Sequence, residues 1–492
     1  MTRRLLRVGA LAAVLLAPAS GARAQSPPDP PDVILIVTDD QRWDTLWAMP
    51  IVQRELVEPG VAFDRAFVVN PICCPSRASV LTGDYSHTTG VYRQTPPFGR
   101  VEAFDDSSTL ATRLDAAGYT TALFGKYLDG YQHRALTGVV PPGWDRWVAF
   151  VRAGYFDYRL TVDGEVRTYG SSATDYSTTV LAEETVAFLE AASGPVFVLF
   201  APAAPHAPAV PHPRDDAAFA GLGVARPPSF DEADVGDKPA WVRALPRLGE
   251  GGGQRLDAFR RQQYRALQSV DRAVGRIVGA LERTGRLQNT LLVFTSDNGI
   301  HHGEHRWTKK EAPYEESIRV PLVLRWDAAA WHDEPSVAAL VLNIDVAPTV
   351  AEAVGLELDA DGRSLLPLLD ERTHRWREDF LIEHLEGSNP VPTFCAVRSE
   401  AWKYVRYSTG EEELYDLDRD PSELENVASE PSARPKLESL RERLRELCRP
   451  APPGFDGRPP VRLWVALGAL TLLLLVEAGA TRRGEGTRTG RR

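Results

Sequence analysis

The sequence predicts an α/β fold built on a large, mostly parallel sheet that is flanked by helices. Two observations carry this prediction: uninterrupted apolar runs rich in β-branched residues, and helical segments that separate these runs. Strands buried on both faces of a parallel sheet need continuous apolar runs, because helices cover both of their sides. With 43% hydrophobic and 25% charged residues, the chain has enough apolar material for a large core.

Four predicted buried strands are each followed by polar side chains. The strands cover residues 32–38, 119–124, 195–200 and 290–296. The polar residues that follow them are, in order, Asp39 with Asp40, Lys126, His206, and Asp297 with Asn298. Taken singly, each would be an ordinary turn, cap or surface residue. Because ligands bind at the carboxyl ends of strands in open parallel sheets, their shared placement predicts one site.

Helices are predicted between and after these strands. They cover residues 107–114, 174–192, 256–284 and 423–447. Residues 207–255 are rich in Pro, Asp and Gly and show no period, which predicts an irregular excursion close to the site. Beyond about residue 370, short strand-like runs at 394–397, 402–407 and 412–415 predict a small α+β C-terminal subdomain.

The stretch from Pro71 to Gly83 combines a candidate nucleophile, a helix start and a cation. Pro75 suits the first position of a helix, so we expect Cys73 just ahead of free helix N–H groups that favour an anion. Arg77 has a planar guanidinium suited to a tetrahedral oxyanion. The stretch therefore predicts sulfate or phosphate chemistry. The four cysteines equally allow three disulfide pairings, in which Cys73 would be structural.

The strand-end oxygens predict a site for a hard divalent cation. They belong to Asp39, Asp40, Asp297 and Asn298. Oxygen ligands without thiolate or imidazole suit Ca²⁺ or Mg²⁺, and Ca²⁺ is preferred because the ligands are numerous and can be irregular. The histidine-rich run at 301–305 lacks the H-E-x-x-H spacing and is typical of a polar surface loop, so no zinc site is predicted there.

Positive charge and a proton donor are also expected at this site. Arg77, Lys126 and Lys310 would surround a bound oxyanion. His206 could donate a proton to a departing alkoxide. These groups together suit the hydrolysis of an anionic ester.

Over about residues 30–430, the sequence resembles the type I sulfatase family. The resemblance rests on Cys73-Cys74-Pro75-Ser76-Arg77 followed by Leu81-Thr82-Gly83, the family signature in which the first cysteine becomes formylglycine. Further matching segments are Thr38-Asp39-Asp40, Gly125-Lys126, Pro205-His206, Ser296-Asp297-Asn298-Gly299, Lys310 ahead of Tyr314-Glu315, Arg319-Val320-Pro321, and Glu413-Leu414-Tyr415-Asp416-Leu417. The resemblance implies an alkaline-phosphatase-like sandwich and a sulfuric ester hydrolase.

A formylglycine-dependent mechanism is what this resemblance implies. Cys73 would be converted by a formylglycine-generating enzyme, and the hydrated aldehyde would provide the oxygen that attacks sulfur. The implied metal ligands are Asp39, Asp40, the converted Cys73, Asp297 and Asn298. Bound Ca²⁺, or Mg²⁺ as the alternative, would orient the nucleophile and the ester.

The resemblance also assigns residues around the sulfate group. Arg77 and Lys126 would stabilise the nucleophile. His206 and Lys310 would contact the sulfate and the departing oxygen, and His301 would lie near the substrate.

One branch of the family matches best. Cys73-Cys74 and Gly125-Lys126-Tyr127-Leu128 look most like the N-acetylglucosamine-6-sulfatases, so a sulfated sugar or glycan of the 6-O-sulfated glucosamine type is the favoured substrate. Leu128 stands where many relatives have a histidine, which leaves open the group that removes the hydrate proton. The alternatives are a phosphoester or phosphonate hydrolase of the same superfold, and a non-catalytic surface protein that binds sulfated glycans with Cys73 unconverted.

The N-terminal end of the chain predicts export, and the C-terminal end predicts attachment to a membrane or sorting. Residues 1–24 have arginines, an apolar run and an A-x-A cleavage site, which indicates a signal peptide. The remaining expected divisions are a catalytic α/β domain at 30–370, a C-terminal subdomain at 371–448, a proline-rich linker at 449–460, a transmembrane or sorting helix at 461–480 and a basic tail at 481–492. We expect a periplasmic or cell-surface protein with the membrane as a partner. The net charge of −11 argues against a nucleic-acid partner.

Overall fold

The fold is described from a computed structural model of the chain, which covers residues 30–456 except 330, 332–335, 371 and 374. The predicted signal peptide, and the predicted C-terminal helix with its basic tail, lie outside the described residues. Within the described part, no helix has both the length and the apolar character that crossing a membrane requires.

Strands and helices alternate through most of the chain. The strands are β1 (Asp32–Thr38), β2 (Val61–Phe67), β3 (Thr120–Gly125), β4 (Arg146–Phe150), β5 (Arg159–Val162), β6 (Glu165–Thr168), β7 (Val196–Ala201), β8 (Thr290–Ser296), β9 (Leu322–Arg325), β10 (Ser336–Leu342), β11 (Asp379–His384), β12 (Phe394–Ser399), β13 (Trp402–Tyr407) and β14 (Glu412–Asp416). The helices are α1 (Pro50–Val52), α2 (Cys73–Thr82), α3 (Ser86–Thr89), α4 (Leu110–Ala116), α5 (Tyr131–Ala135), α6 (Ser177–Ala191), α7 (Ala240–Arg243), α8 (Gly249–Arg283), α9 (Glu315–Ile318), α10 (Val346–Ala353), α11 (Leu366–Leu369) and α12 (Arg434–Leu447).

A ten-stranded mixed sheet forms the large part of the molecule. Its strand order is β10-β2-β9-β8-β1-β7-β3-β4-β5-β6. The five neighbouring strands from β8 to β4 run parallel to one another, and antiparallel pairs join at both sides of this centre. The four strands predicted from the sequence are all in this parallel centre, next to one another. Their carboxyl ends therefore meet at one edge, as expected.

Helices cover both faces of the large sheet. Side chains of β1 alternate between two separate apolar cores, with Val33 and Leu35 in one and Ile34 and Ile36 in the other. Helices α2 and α10 contribute to the first core, and α6 and α8 to the second. This double coverage explains why every residue of β1 is buried. The prediction of an α/β fold with a large sheet flanked by helices is confirmed.

A second, smaller sheet follows. Strands β11, β12, β13 and β14 form an antiparallel meander, and α12 packs against it. A disulfide joins Cys395 of β12 to Cys448 just after α12, whereas Cys73 and Cys74 are free. The structure therefore contains one disulfide, Cys395–Cys448, and does not bear out a disulfide at Cys73.

Two helix starts differ from the prediction by seven residues or more. The last helix begins at Arg434 instead of residue 423, because Glu423 is buried with a left-handed backbone (φ 56°) and Pro431 interrupts the segment before the helix. The long helix α8 begins at Gly249, seven residues before the predicted 256. The prediction began after the glycines at 251–253 because glycine has poor helix propensity, but the structure includes them in the helix.

The start of α2 also differs. The helix begins at Cys73, so Pro75 is its third residue and not its first. Proline is tolerated there because the first N–H groups of a helix have no partner within it. Cys73 consequently belongs to the first turn, and Arg77 lies one turn later on the same side of the helix.

Candidate active site

The ends of the central strands bring the predicted acidic residues together. The parallel register pairs Thr38 with Ser296, so the residues after β1 and β8 start level with each other. The Asp297 N–H donates to the Thr38 carbonyl oxygen at 3.0 Å. Asp40 adopts a left-handed backbone (φ 65°), and its N–H donates to Asp297 Oδ1 at 3.1 Å. The Asn298 side-chain amide donates to Asp40 Oδ1 at 2.6 Å.

Cys73 faces these acids from the start of α2. Its thiol lies 3.4 Å from Asp39 Oδ1, and Lys310 Nζ lies 2.6 Å from its Sγ. The residue is fully buried. The helix thus presents this side chain to the strand ends.

Three cations pair with the three carboxylates. Lys126 Nζ lies 2.6 Å from Asp39 Oδ2, and Lys310 Nζ lies 2.6 Å from Asp40 Oδ1. The Nε of Arg77 donates to Asp297 Oδ2 at 2.8 Å, and its NH1 group to the Lys126 carbonyl oxygen at 3.0 Å. All the predicted cations therefore converge on the predicted acids.

Burial and the neighbouring charges shift the pKa values of Asp39 and Cys73 in opposite directions. Burial would raise the pKa of Asp39, but the charges of Lys126 and its neighbours hold that pKa well below its usual range. Burial, with the nearby Asp297 and Asp39, raises the pKa of the Cys73 thiol well above its usual range. An unmodified Cys73 is accordingly a protonated thiol and a poor nucleophile.

The donor atoms fit a divalent cation. Oxygen atoms of Asp39 and Asp40, the Cys73 sulfur and a His206 ring nitrogen all lie within 4.8 Å of one another. The side-chain oxygen of Asn298 is buried and has no hydrogen-bond partner, although such atoms are normally satisfied. A cation ligated by carboxylates would give this oxygen a partner.

His206 lies on the open side of the site. Its side chain is 39% exposed, and Nε2 is 3.6 Å from Asp40 Oδ2. The other ring nitrogen, Nδ1, is 2.7 Å from the Ala207 carbonyl oxygen, which can only accept, so Nδ1 carries a proton. The ring therefore directs Nε2 toward the reactive centre.

His301 is positioned differently from the other predicted residues. It is fully buried, its Nδ1 contacts the Ser317 hydroxyl and the Lys309 carbonyl oxygen, and its Nε2 lies 3.6 Å from Glu316. Burial lowers its pKa to about 3, so the ring is neutral. These contacts turn the ring toward Glu316 and do not support a substrate contact.

Beside Lys126 lies a cavity of about 420 Å³ that the sequence reasoning missed. Its lining includes Leu128 and Gln132 after β3, and Phe150 and Arg152 at the end of β4. Strand β4 shows the same pattern as the predicted strands, an apolar run followed by a charged residue, and this signal could have identified Arg152. Because Leu128 lines the cavity, the absence of a histidine there leaves an apolar wall.

Family models match almost all of the described chain. The model described as "Sulfatase" matches residues 31–356, and the one described as "N-sulphoglucosamine sulphohydrolase, C-terminal" matches residues 303–449. The first covers well over half of the chain.

Individual proteins are similar along most of this chain. The human N-acetylglucosamine-6-sulfatase is 34% identical over 387 residues, which cover 74% of this chain and 69% of that protein. An extracellular sulfatase SULF-1 homolog of Drosophila melanogaster is 33% identical over 72% of this chain, and the chain spans only 33% of its length. A solved structure in complex with its substrate D-glucosamine-2-N,6-O-disulfate superposes with a TM-score of 0.74, at 24% identity, over 86% of this chain and 98% of that one.

Proposed function

This chain belongs to the sulfatase family, and on that premise we propose that it removes sulfate from a 6-O-sulfated glucosamine-type sugar at the site around Cys73. It is a sulfuric ester hydrolase. The observation that carries the site assignment is the convergence of Cys73, three acids and three cations at one edge of the sheet. The sugar class is supported by the human relative, which is named for N-acetylglucosamine 6-sulfate.

Cys73 acts as the precursor of the nucleophile in this proposal. Conversion to formylglycine supplies an aldehyde whose hydrate provides the attacking oxygen. The surroundings of the unmodified residue support this role, because a buried thiol next to carboxylates resists ionisation. Arg77, one helical turn away, is oriented by its bond to Asp297 and adds positive charge beside the reacting group.

Asp39, Asp40, Asp297 and Asn298 would hold Ca²⁺, with Mg²⁺ as the alternative. When bound, the ion supplies Lewis-acid stabilisation and orients the ester. Oxygen donors and the unpartnered Asn298 oxygen favour a hard cation. Lys126 and Lys310 reach the same carboxylates and remain available to bind sulfate oxygens.

His206 acts as the proton donor to the departing sugar oxygen. Its Nδ1 proton is held by the Ala207 carbonyl oxygen, which leaves Nε2 to carry the transferred proton. Partial exposure lets it meet a substrate that enters from solvent. The cavity beside Lys126 would receive the sugar ring, with Arg152 and Gln132 as polar contacts.

Mass spectrometry of the Cys73 peptide, together with a substrate panel, tests this function. We expect formylglycine at position 73 and higher kcat/KM for 6-sulfated N-acetylglucosamine than for the corresponding phosphate and for aryl phosphonates. Cys73→Ala should abolish turnover, whereas Cys74→Ala, its buried neighbour, should retain it. A thiol at position 73 in all material from the native host, or dominant phosphate or phosphonate turnover, would overturn the proposal.

Export follows as a second part of the proposal. Residues 1–24 have the pattern of a signal peptide, and the similar Drosophila protein is described as extracellular. Anchoring by residues 461–480 stays a prediction. Fractionation of cells that produce the full chain, before and after a high-salt wash, would separate a membrane-held protein from a released one.

A further inference from the structure

A second cluster of potential metal ligands lies apart from Cys73. His305 follows β8, Glu316 belongs to α9, and Glu423 lies between β14 and α12. One donor atom of each lies within 4.8 Å of the others, and all three residues are buried. The sequence pattern at 301–305 predicts a polar surface loop, but the histidines of this segment are buried: Tyr314 stacks on His305, and His302 contacts Gln263 of α8.

Several polar atoms in this cluster lack hydrogen bonds. The side-chain nitrogens Nε2 of His305 and His301 and the Oε2 atom of Glu316 are buried without a partner. Leaving such atoms unpaired is costly, so native structures normally provide a partner. Three such atoms together point to a ligand that would pair with them.

The two histidines are oriented as metal-binding histidines are. His305 Nδ1 lies 2.8 Å from Glu232 Oε2, and His301 Nδ1 lies 3.1 Å from the Lys309 carbonyl oxygen. Because carboxylate and carbonyl oxygens accept, the Nδ1 atoms carry the protons. Each Nε2 therefore has a free lone pair, as in carboxylate–histidine–metal arrangements.

The neighbouring cations do not neutralise Glu316. Arg42 is paired with Glu304 at 2.8 Å, and Lys403 with Glu423 at 2.5 Å. Among the described residues, the ion pair recorded for Glu316 is with His301, at 3.6 Å. A divalent cation would take the Glu316 carboxylate as a ligand and would also occupy the histidine lone pairs.

We propose that His305, Glu316 and Glu423 bind a first-row divalent cation of the Zn²⁺ type, with His301, 3.6 Å from Glu316, as a further donor. Imidazole with carboxylates favours such an ion over Ca²⁺, in contrast to the all-oxygen donors of Asp39, Asp40, Asp297 and Asn298. Glu316 also lines a surface cavity of about 450 Å³, so one of the proposed ligands lies next to space that opens to solvent.

The ion has a structural role in this proposal. Its ligands come from the loop after β8, from α9 and from the segment before α12, so it ties the large sheet to the C-terminal unit. The proposal is independent of the sulfatase chemistry, because none of its ligands contacts Cys73.

Metal analysis of the full-length protein tests the proposal. After dialysis with Zn²⁺ and removal of excess ion, we expect about one tightly held Zn²⁺ per chain, and its removal by a chelator should lower the unfolding temperature. Glu316→Gln should lose this ion. Glu383→Gln makes the same charge change at a buried glutamate paired with His87, outside the cluster, and should keep it. Glu232→Gln should weaken Zn²⁺ binding about 10- to 100-fold through the His305 ring.

Anomalous diffraction from wild-type crystals soaked in Zn²⁺ keeps the test independent of variant folding. Data above and below the zinc edge should show a peak between His305 Nε2 and Glu316. Density for water alone at that position, or Zn²⁺ that is retained in full by Glu316→Gln, would overturn the proposal.

Discussion

His206 has two ring nitrogens with different tasks. Nδ1 is held by the Ala207 carbonyl oxygen, and Nε2 faces the acids at the strand ends. A proton on Nε2 is useful only when the leaving oxygen is a poor leaving group, because a good one departs without assistance.

Replacing His206 by Ala should therefore depress turnover of alkyl and sugar sulfates about 10²–10⁴-fold, and that of activated aryl sulfates far less. Steady-state kinetics on both substrate classes checks this. His133→Ala, at an exposed histidine, is the control. Equal losses on both classes would refute the proton-donor role.

At the scale of single elements, α2 determines where Cys73 lies. The helix ends at Gly83, whose left-handed backbone (φ 85°) lets its N–H donate to the Ser79 carbonyl oxygen. A Cβ on Gly83 would lie 2.9 Å from the Ala360 Cβ. Gly90 ends α3 with a similar backbone (φ 75°) but has nothing within 4 Å of such a Cβ.

Gly83→Ala and Gly90→Ala form a matched pair. Both variants incur the strain of a left-handed alanine, about 1–2 kcal/mol. Gly83→Ala should lose about 1–3 kcal/mol more free energy of unfolding because it also overpacks the contact with Ala360. Chemical denaturation of both variants measures the difference. Equal losses would show that the segment around Ala360 shifts to accommodate the added Cβ with no cost in free energy of unfolding.

The elements predicted best are those whose burial is uniform. Strands β1 and β8 match their predicted bounds, because continuous apolar runs are needed on a sheet covered from both sides. The predicted start of α12 was wrong because Glu423 is buried against Lys403 of β13, and the local sequence around Glu423 does not show this contact. Strand β4 was missed, although it carries Arg152 to the cavity beside Lys126.

At the scale of the whole molecule, the chain forms two sheets. The Cys395–Cys448 disulfide links strand β12 of the smaller sheet to the residue that follows α12. The bond links residues 53 positions apart, so it restricts the unfolded chain considerably. It is distant in the chain from Cys73, and its loss should leave formylglycine formation unaffected.

Replacing both Cys395 and Cys448 by Ala should lower the stability of the C-terminal unit by about 4 kcal/mol, since the chain-entropy relation gives that value for a loop of this length. Calorimetry checks the loss. A reducing agent should bring the wild type toward the unfolding temperature of the double variant and should not change the variant itself. An unchanged unfolding temperature in the double variant would contradict the expectation.

The sequence by itself determined the α/β class, the four central strands and the residues at their ends. Those features depend on local patterns: continuous apolar runs, and a cysteine, proline and arginine in close succession. The pairing of each cation with its carboxylate, the choice of the Cys395–Cys448 disulfide and the burial of His301 and His305 were decided by the tertiary structure alone. They join residues far apart in the chain, and their partners depend on strand order and packing, which no local pattern encodes.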